Sequence, residues 1–413
     1  MEISDILKGG ENRVSLSALG YIAVMTSIVG LLTYLVTIPT KTLSTNAKRA
    51  ISIPILLVNF FFPAFLKVDI GFVACGMGLA SFASLMRFIE LIWTGPFIYG
   101  RDAYVPIGYL HEELWKPIRT FYKPESKDIA SKEKYIEQEN VKDKRYYDII
   151  LAWIGNAIIC DICTSFSVTY TMKDIEEINS NISVASLLFH CLTIILFTTV
   201  FNTLAYPAQL IYVLYYEGGS YSSKEWRPLA KNPILAKSLN EFWAPRWHRI
   251  ARSPMVNLVY KPVYDFSKRF FSKFIKNPAP LARAAGVFGV FVISGVMHEF
   301  IFVWNIGWPV YKERFLGVHM TQFILFGVVL PLELLVGHIA SKKIPEFWRR
   351  SSITLWIRRF ITSVLLHILI YPVLENFHYL GIRYSLPFKV LRPYIHEAIH
   401  KFPLLKVLCG SDI

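Results

Sequence analysis

Long apolar runs alternate with short polar segments along most of the chain, and that spacing predicts helices that cross a bilayer. A helix needs roughly 20 apolar residues to traverse a hydrocarbon core about 30 Å thick. Runs of this kind occupy residues 14–38, 51–66, 68–93, 149–172, 183–216, 282–304, 318–340 and 353–372, so about eight spans are expected. The run at 51–66 is short and carries Pro54 and Pro63, while 183–216 is long enough to be two segments broken at Pro207. Two further stretches, 104–122 and 255–274, interleave aromatic and aliphatic residues with charged ones, as helices lying in a membrane interface do. Residues 126–145 carry both signs of charge and no apolar face, which predicts a solvated loop. The expected fold class is all-α: a polytopic transmembrane helical bundle with cytosolic amphipathic helices.

Composition agrees with that pattern. Of 413 residues, 54% are hydrophobic and 15% aromatic, too apolar a balance for a soluble chain of this length. The formal net charge of +14 comes from basic residues that flank the apolar runs, which suits anionic headgroups or a polyanionic substrate and argues against nucleic acid as a partner. Lys and Arg gather on the cytosolic side of membrane proteins. Residues 217–280 hold seven Lys and five Arg against four acidic residues, so this segment is expected in the cytosol; 173–181, with Lys173 against Asp174, Glu176 and Glu177, is expected in the lumen. The first apolar run is long enough to span and to serve as its own insertion signal. Asn181-Ile182-Ser183 is a formal glycosylation sequon, but it abuts a span and is expected unmodified. Cys160 and Cys163 match C-x-x-C; on a membrane helix they are expected to pack.

Phosphate loops, zinc helices, nucleophile elbows and dinucleotide glycine patterns do not occur in the sequence. Histidine carries the chemistry that does. His298 lies in Ser294-Gly295-Val296-Met297-His298-Glu299, within the apolar run at 282–304. An imidazole in hydrocarbon loses its hydration and must be paired or used, so it marks a functional site; the competing reading is a histidine hydrogen-bonded between helices. At about 1.5 Å per residue His298 stands about 24 Å along its helix from the cytosolic end, beyond the bilayer midplane. Ser294 shares its face, whereas Glu299 points about 100° away. Gly286, Gly289 and Gly295 leave room either for close helix approach or for a tunnel wall. Among other ionisable residues within spans, Arg87 and Glu90 are one turn apart and expected to pair, and Asp161 and Glu333 are the two candidates for sharing a cavity with His298. About fifty residues upstream lies the basic aromatic string Phe242-Trp243-Ala244-Pro245-Arg246-Trp247-His248.

Taken with Trp226-Arg227-Pro228-Leu229 and Ser238-Leu239-Asn240-Glu241, these strings resemble the wax synthase-like branch of the membrane-bound O-acyltransferase superfamily. There an S-L-x-x-F-W-x-x-R-W-H string and a downstream S-G-x-x-H-E string recur in this order. The resemblance covers roughly residues 226–304. It implies a transferase that moves an acyl group from acyl-CoA to a hydroxyl, with His298 as the catalytic histidine and His248 in the second polar position. Trp243, Arg246, Trp247, Arg249 and Arg252 would face the CoA moiety, with Lys261 beside them. It further implies acyl-CoA as co-substrate with neither bound cofactor nor metal, a hydrophobic alcohol as acceptor, the bilayer as environment and the endoplasmic reticulum membrane as location. Residues 1–148 would form N-terminal membrane helices with a charged cytosolic loop, and 149–413 the catalytic core. Long-chain alcohols, sterols and terpenoid alcohols are all compatible acceptors. The rival reading is a multi-pass transporter in which intramembrane His, Asp and Glu relay protons or bind a solute.

Overall fold

The computed structural model describes residues 13–68, 70–121, 142–180, 182–247, 250–386 and 389–411. His248, Arg249, Asn181 and most of the predicted loop at 126–145 lie outside the described residues.

The main helices are α1 (Ala18–Thr37), α2 (Thr45–Phe65), α3 (Gly71–Ile89), α4 (Tyr146–Ser167), α5 (Met172–Ser180), α6 (Val184–Tyr216), α7 (Lys261–Phe271), α8 (Ala279–Ile306), α9 (Trp308–Arg314), α10 (Val318–Lys343), α11 (Ser352–Tyr379) and α12 (Arg392–Lys401). Serines open several of them by capping orphan amides: Ser17 Oγ accepts from Gly20 N–H at 3.1 Å, Ser44 Oγ from Ala47 N–H at 3.3 Å, and Ser183 Oγ from Ser186 N–H at 3.1 Å. Seven helices among the described residues are long and apolar enough to span: Ala18–Thr37, Gly71–Tyr99, Tyr146–Ser167, Val184–Tyr216, Ala279–Ile306, Val318–Lys343 and Ser352–Tyr379. They match seven of the eight expected runs. The eighth lies within α2, whose opening turns carry Lys48 and Arg49 and whose apolar stretch is interrupted by Asn59 and two prolines. The run at 183–216 is one 33-residue helix that continues through Pro207. Helix α3 likewise continues, through a π-helical turn at Glu90–Thr94, into Gly95–Tyr99.

Of the two expected interfacial helices, the first is short. Pro106 and Pro117 bracket a 3₁₀ turn at Ile107–Tyr109 and a helix at Leu110–Trp115. The second is present as α7, preceded by a π turn at Val256–Tyr260.

The chain forms two compact units. One comprises Met1–His111, Ala251–Ile344 and Ile368–Ser385. Within it α8 is the central element: Met297, Phe300 and Ile301 pack with Phe82 and Met86 of α3 and with Met255 and Val259. Arg13 donates to the carbonyls of Trp304 and Asn305, capping the C-terminal end of α8 where the helix dipole is negative. Arg87 and Glu90 pair as expected, and Asn257 Nδ2 also donates to the Glu90 carboxylate.

The other unit comprises Glu112–Ile250, Pro345–His367 and Leu386–Ile413. Here α4 packs along α6, and Ile149, Tyr212, Val213, Tyr221 and Trp226 form a core. Two short strands, β1 (Lys144–Arg145) and β2 (Ser220–Tyr221), pair antiparallel beside it. Arg119 bonds both Glu217 at 2.8 Å and Glu225 at 2.7 Å. Asp161 accepts the backbone N–H of Leu391 at 2.8 Å, which fixes the start of α12. Cys160 and Cys163 are buried free thiols. Near the C-terminus, the Ser411 N–H and hydroxyl both bond Asp174, at 3.0 and 2.8 Å, and Gly410 N–H bonds Thr169 Oγ1 at 2.9 Å.

Candidate functional site

Helix α8 places His298 half-buried in the first unit. Its Nδ1 lies 2.7 Å from the carbonyl oxygen of Ser294, one turn earlier. A carbonyl only accepts, so the proton sits on Nδ1 and the Nε2 of the neutral ring carries the lone pair. This explains why the serine that shares the face of His298 matters through its backbone. Phe323 of α10 stacks on the imidazole with centroids 4.3 Å apart, and Phe377 of α11 meets it edge-on at 6.1 Å. Those rings fix the imidazole plane.

Glycine permits that contact. A Cβ on Gly295 would lie 3.0 Å from Met320 Sδ, 3.1 Å from Met320 Cα and 3.4 Å from Phe323 Cβ. On α10, Gly327 does the same in the other direction, since its Cβ would meet Phe288 Cα at 3.3 Å. Gly286 and Gly289 face Tyr260 and the valines Val259 and Val263. Between the two uses open to these glycines, Gly286 and Gly295 serve close approach, whereas Gly289 also lines an apolar cavity of about 430 Å³ with Phe288 and Gly327. Gly286 and Gly295 make contacts with neighbouring helices that a methyl group would obstruct.

Glu299 was expected to point away from His298, and its side chain is indeed held by other elements. Its Oε1 accepts Met320 N–H at 2.9 Å, and Tyr311 of α9 donates its hydroxyl to Oε2. His319 Nδ1 stands 3.7 Å from Oε2, an ion-pair distance longer than a hydrogen bond. His319 is fully buried, and its Nε2 lies 3.3 Å from Asn376 Nδ2 on α11. The His319 ring is near-parallel to that of His298, with centroids 6.2 Å apart and 29° between planes. Three residues of this group, His319, Tyr311 and Asn376, escaped the sequence reading. His319 opens the run at 318–340, where a histidine looks interfacial, and neither Tyr311 nor Asn376 stands near a motif. The adjoining Glu299 was the available signal, because a carboxylate next to a membrane-embedded histidine needs donors from somewhere.

Of the two carboxylates suggested as partners for His298, neither sits beside it on its own element. Glu333 lies ten residues beyond Phe323 on α10, about 15 Å along the axis at about 1.5 Å per residue. Asp161 belongs to the other unit, where it holds Leu391.

The upstream string folds as a self-contained loop in the second unit. Ser238 Oγ accepts Glu241 N–H at 2.9 Å and opens a single turn, Leu239–Glu241, which widens into a π-helical turn at Phe242–Arg246. Pro245 sits inside this turn, and Trp247 N–H returns to Phe242 O at 2.7 Å. Arg246 is committed within the loop: Nε and Nη2 donate to Glu241 Oε1 at 2.9 and 2.8 Å, and Nη1 to the carbonyls of Lys231 and Asn232 at 3.1 and 3.2 Å. Burial pushes the Glu241 carboxyl upward, but its bonds from Arg246 and from Lys237 N–H outweigh this and hold it below its ordinary value. Trp247 is buried, stacked on Phe242 at 5.0 Å and edge-on to Phe201 at 6.1 Å, and Trp243 meets Phe242 edge-on at 5.1 Å. Trp243, Arg246 and Trp247 are therefore brought together in this loop. Arg252 and Lys261 belong to the first unit; Arg252 is exposed, and the Lys261 ammonium sits 5.7 Å from the Tyr99 ring centroid.

Residues 226–325 match the family model described as "Membrane bound O-acyl transferase family". The match begins at Trp226 and takes in the loop, His298, Glu299, His319 and Phe323. "Acyl-CoA--sterol O-acyltransferase 1" of Arabidopsis thaliana is 40% identical over 82 residues, covering 20% of this chain and 21% of that protein. "Probable long-chain-alcohol O-fatty-acyltransferase 7" of the same plant is 32% identical over 116 residues, covering 28% and 30%. The "Long-chain-alcohol O-fatty-acyltransferase" of Simmondsia chinensis is 30% identical over 117 residues, again covering 28% and 30%. The chain thus spans less than a third of the length of these curated relatives. It is a multi-pass membrane protein with a segment that matches the membrane-bound O-acyltransferase family model, and in that segment it is similar to the wax synthase-like branch.

Proposed function

We propose that the protein transfers an acyl group from acyl-CoA to the hydroxyl of a hydrophobic alcohol, in the endoplasmic reticulum membrane. The observation that carries this reading is the His298 geometry. With its proton held on Nδ1 by Ser294 O, the ring carries the lone pair on Nε2, as a general base requires, and Phe323 is stacked on its face.

In this reading Nε2 takes the proton of the alcohol, and the oxygen attacks the thioester carbonyl. The tetrahedral oxyanion is stabilised by a donor such as His248. Collapse breaks the C–S bond, and the CoA thiolate leaves with the proton from His298, so ester and free CoA are formed with no covalent enzyme intermediate. Arg249, Arg252 and Lys261 would meet the CoA phosphates, to which guanidinium groups offer paired donors. The hydrogen bonds of Arg246 favour a supporting role, in which it shapes the loop that presents Trp243 and its neighbours. All these residues fall within 149–413, the proposed catalytic core. Long-chain alcohols and sterols are the acceptor classes that the relatives' names suggest.

Lipid extraction after expression in an ester-deficient host tests the proposal. New wax or sterol esters that depend on the intact protein support it, and ester-free extracts from membranes that contain the folded protein and are supplied with labelled acyl-CoA and mixed alcohols contradict it.

A further inference from the structure

A fully buried imidazole in a membrane helix costs desolvation energy unless its polar atoms are used. His319 uses both. Nδ1 faces the Glu299 carboxylate at 3.7 Å and Nε2 faces the Asn376 amide nitrogen at 3.3 Å. A carboxylate calls for a proton opposite it and an amide N–H calls for a lone pair, so one neutral tautomer satisfies both neighbours: N–H at Nδ1, acceptor at Nε2. Glu299, the residue after His298, meanwhile gathers Met320 N–H and the Tyr311 hydroxyl. Four helices, α8 to α11, thus meet at one carboxylate and the imidazole behind it. One turn further along α10 is Phe323, the ring stacked on His298.

We propose that His319 is a positioning residue for acyl transfer: with Asn376 behind it, it orients Glu299, which fixes Phe323 against His298 and keeps a carboxylate charge behind the His319 ring, whose centroid is 6.2 Å from that of the histidine that becomes cationic during the reaction. The proposal rests on the reading of His298 as general base. Two effects are combined. The clamp sets the register of α10 on α8, so the imidazole plane stays fixed while the alcohol approaches. A pre-oriented anion also stabilises the imidazolium formed when Nε2 takes the acceptor's proton, and does so strongly because the surroundings are apolar. His319 contributes to both by orienting the carboxylate, and it touches neither substrate nor reacting atom.

The test uses the full-length protein in nanodiscs, with steady-state kinetics in labelled acyl-CoA and alcohol and a melting temperature for each variant. His319→Leu should lower kcat by about 10- to 100-fold, the scale on which displaced catalytic groups lose rate, with KM for both substrates within about twofold. His319→Gln, whose amide offers a donor toward Glu299 and an acceptor toward Asn376, should recover most of that loss. Asn376→Leu, which leaves the imidazole in place, should reproduce the kcat loss and serves where His319→Leu does not fold. Glu299→Gln keeps one acceptor oxygen, for Met320 N–H, and can turn its amide N–H toward the Tyr311 hydroxyl oxygen, but it removes the charge, and should lose more rate than the loss of one hydrogen bond explains. Wild-type kcat in His319→Leu or Asn376→Leu would overturn the proposal, as would a loss confined to melting temperature that Gln does not rescue. His298→Ala separates the two levels: if that variant is as active as wild type, the general-base reading has failed, whereas an inactive His298→Ala beside a fully active His319→Leu means that only the positioning role has failed.

Discussion

Gly295→Ala should damage the protein far more than its size suggests. The added methyl would sit 3.0 Å from Met320 Sδ, which the flexible thioether can relieve by rotating, and 3.1 Å from Met320 Cα, which it cannot. Relief requires α10 to withdraw from α8 by a few tenths of an ångström, and overpacking of that kind costs about 1–3 kcal/mol. The same withdrawal carries Phe323 off the His298 ring and strains the Glu299 bond to Met320 N–H, so the loss reaches the base. If about 1.4 kcal/mol of it appears in the barrier, kcat falls about tenfold. The assay is initial-rate ester formation from labelled acyl-CoA in nanodiscs, with thermal denaturation in parallel. Gly337→Ala is the control: it lies on α10, the helix that Gly295 packs against, with nothing within 4 Å of the new Cβ, so it should be neutral or gain up to about 1 kcal/mol from helix propensity. Equal melting temperatures and equal rates in the two variants would refute the argument that close approach at Gly295 holds the base.

Three further outcomes are expected. Arg246→Ala and Glu241→Ala should each loosen the loop, and a double-mutant cycle on melting temperature should return a coupling of about 1 kcal/mol; a coupling of zero would mean that the pair does not hold the π turn. Burial raises the Asp174 carboxyl, but the bonds from Ser411 and Thr171 outweigh this and bring it down from 3.8 to about 2. A depressed carboxylate stabilises the folded form above the unfolded value and loses that contribution as pH falls through the folded one, so tail docking should weaken between pH 3.8 and about 2. Amide hydrogen exchange at Gly410 and Ser411 reads this directly, and protection that is unchanged across the window, or equally pH-dependent in Asp174→Asn, would contradict it. His248→Asn, which keeps a donor, should retain activity within about tenfold, while His248→Ala should lose about 100-fold if this residue steadies the oxyanion.

Much of the architecture was readable from hydropathy because bilayer thickness imposes one length on every span. Where expectation and structure part, local chemistry is responsible. Residues 51–66 belong to a helix that starts at Thr45 and carries Lys48, whose ammonium is held by the carbonyls of Ile38 and Ala103, so the apolar window is cut short. Pro207 does not divide α6, because a proline inside a packed membrane helix removes one N–H without exposing the backbone to solvent. At the candidate site, the place of His298 within a span-length apolar helix was legible, and so was the pairing of Arg87 with Glu90. His319 was not, since its role depends on α10 returning antiparallel to α8 and on Asn376 arriving from α11. Arg246 illustrates the opposite limit: a basic residue in a string expected in the cytosol reads as a phosphate ligand, yet its donors are engaged by Glu241 and two carbonyls of its own unit.

The most direct test of the central claim is the rate of ester formation by His298→Ala and His298→Gln, measured with labelled acyl-CoA and a saturating mixture of hydrophobic alcohols, in preparations whose folding and acyl-CoA binding match the wild type. If Nε2 of His298 takes the acceptor's proton, both variants should lose at least about 100-fold in kcat while still binding the donor. Ester formation at the wild-type rate in either variant would contradict the account.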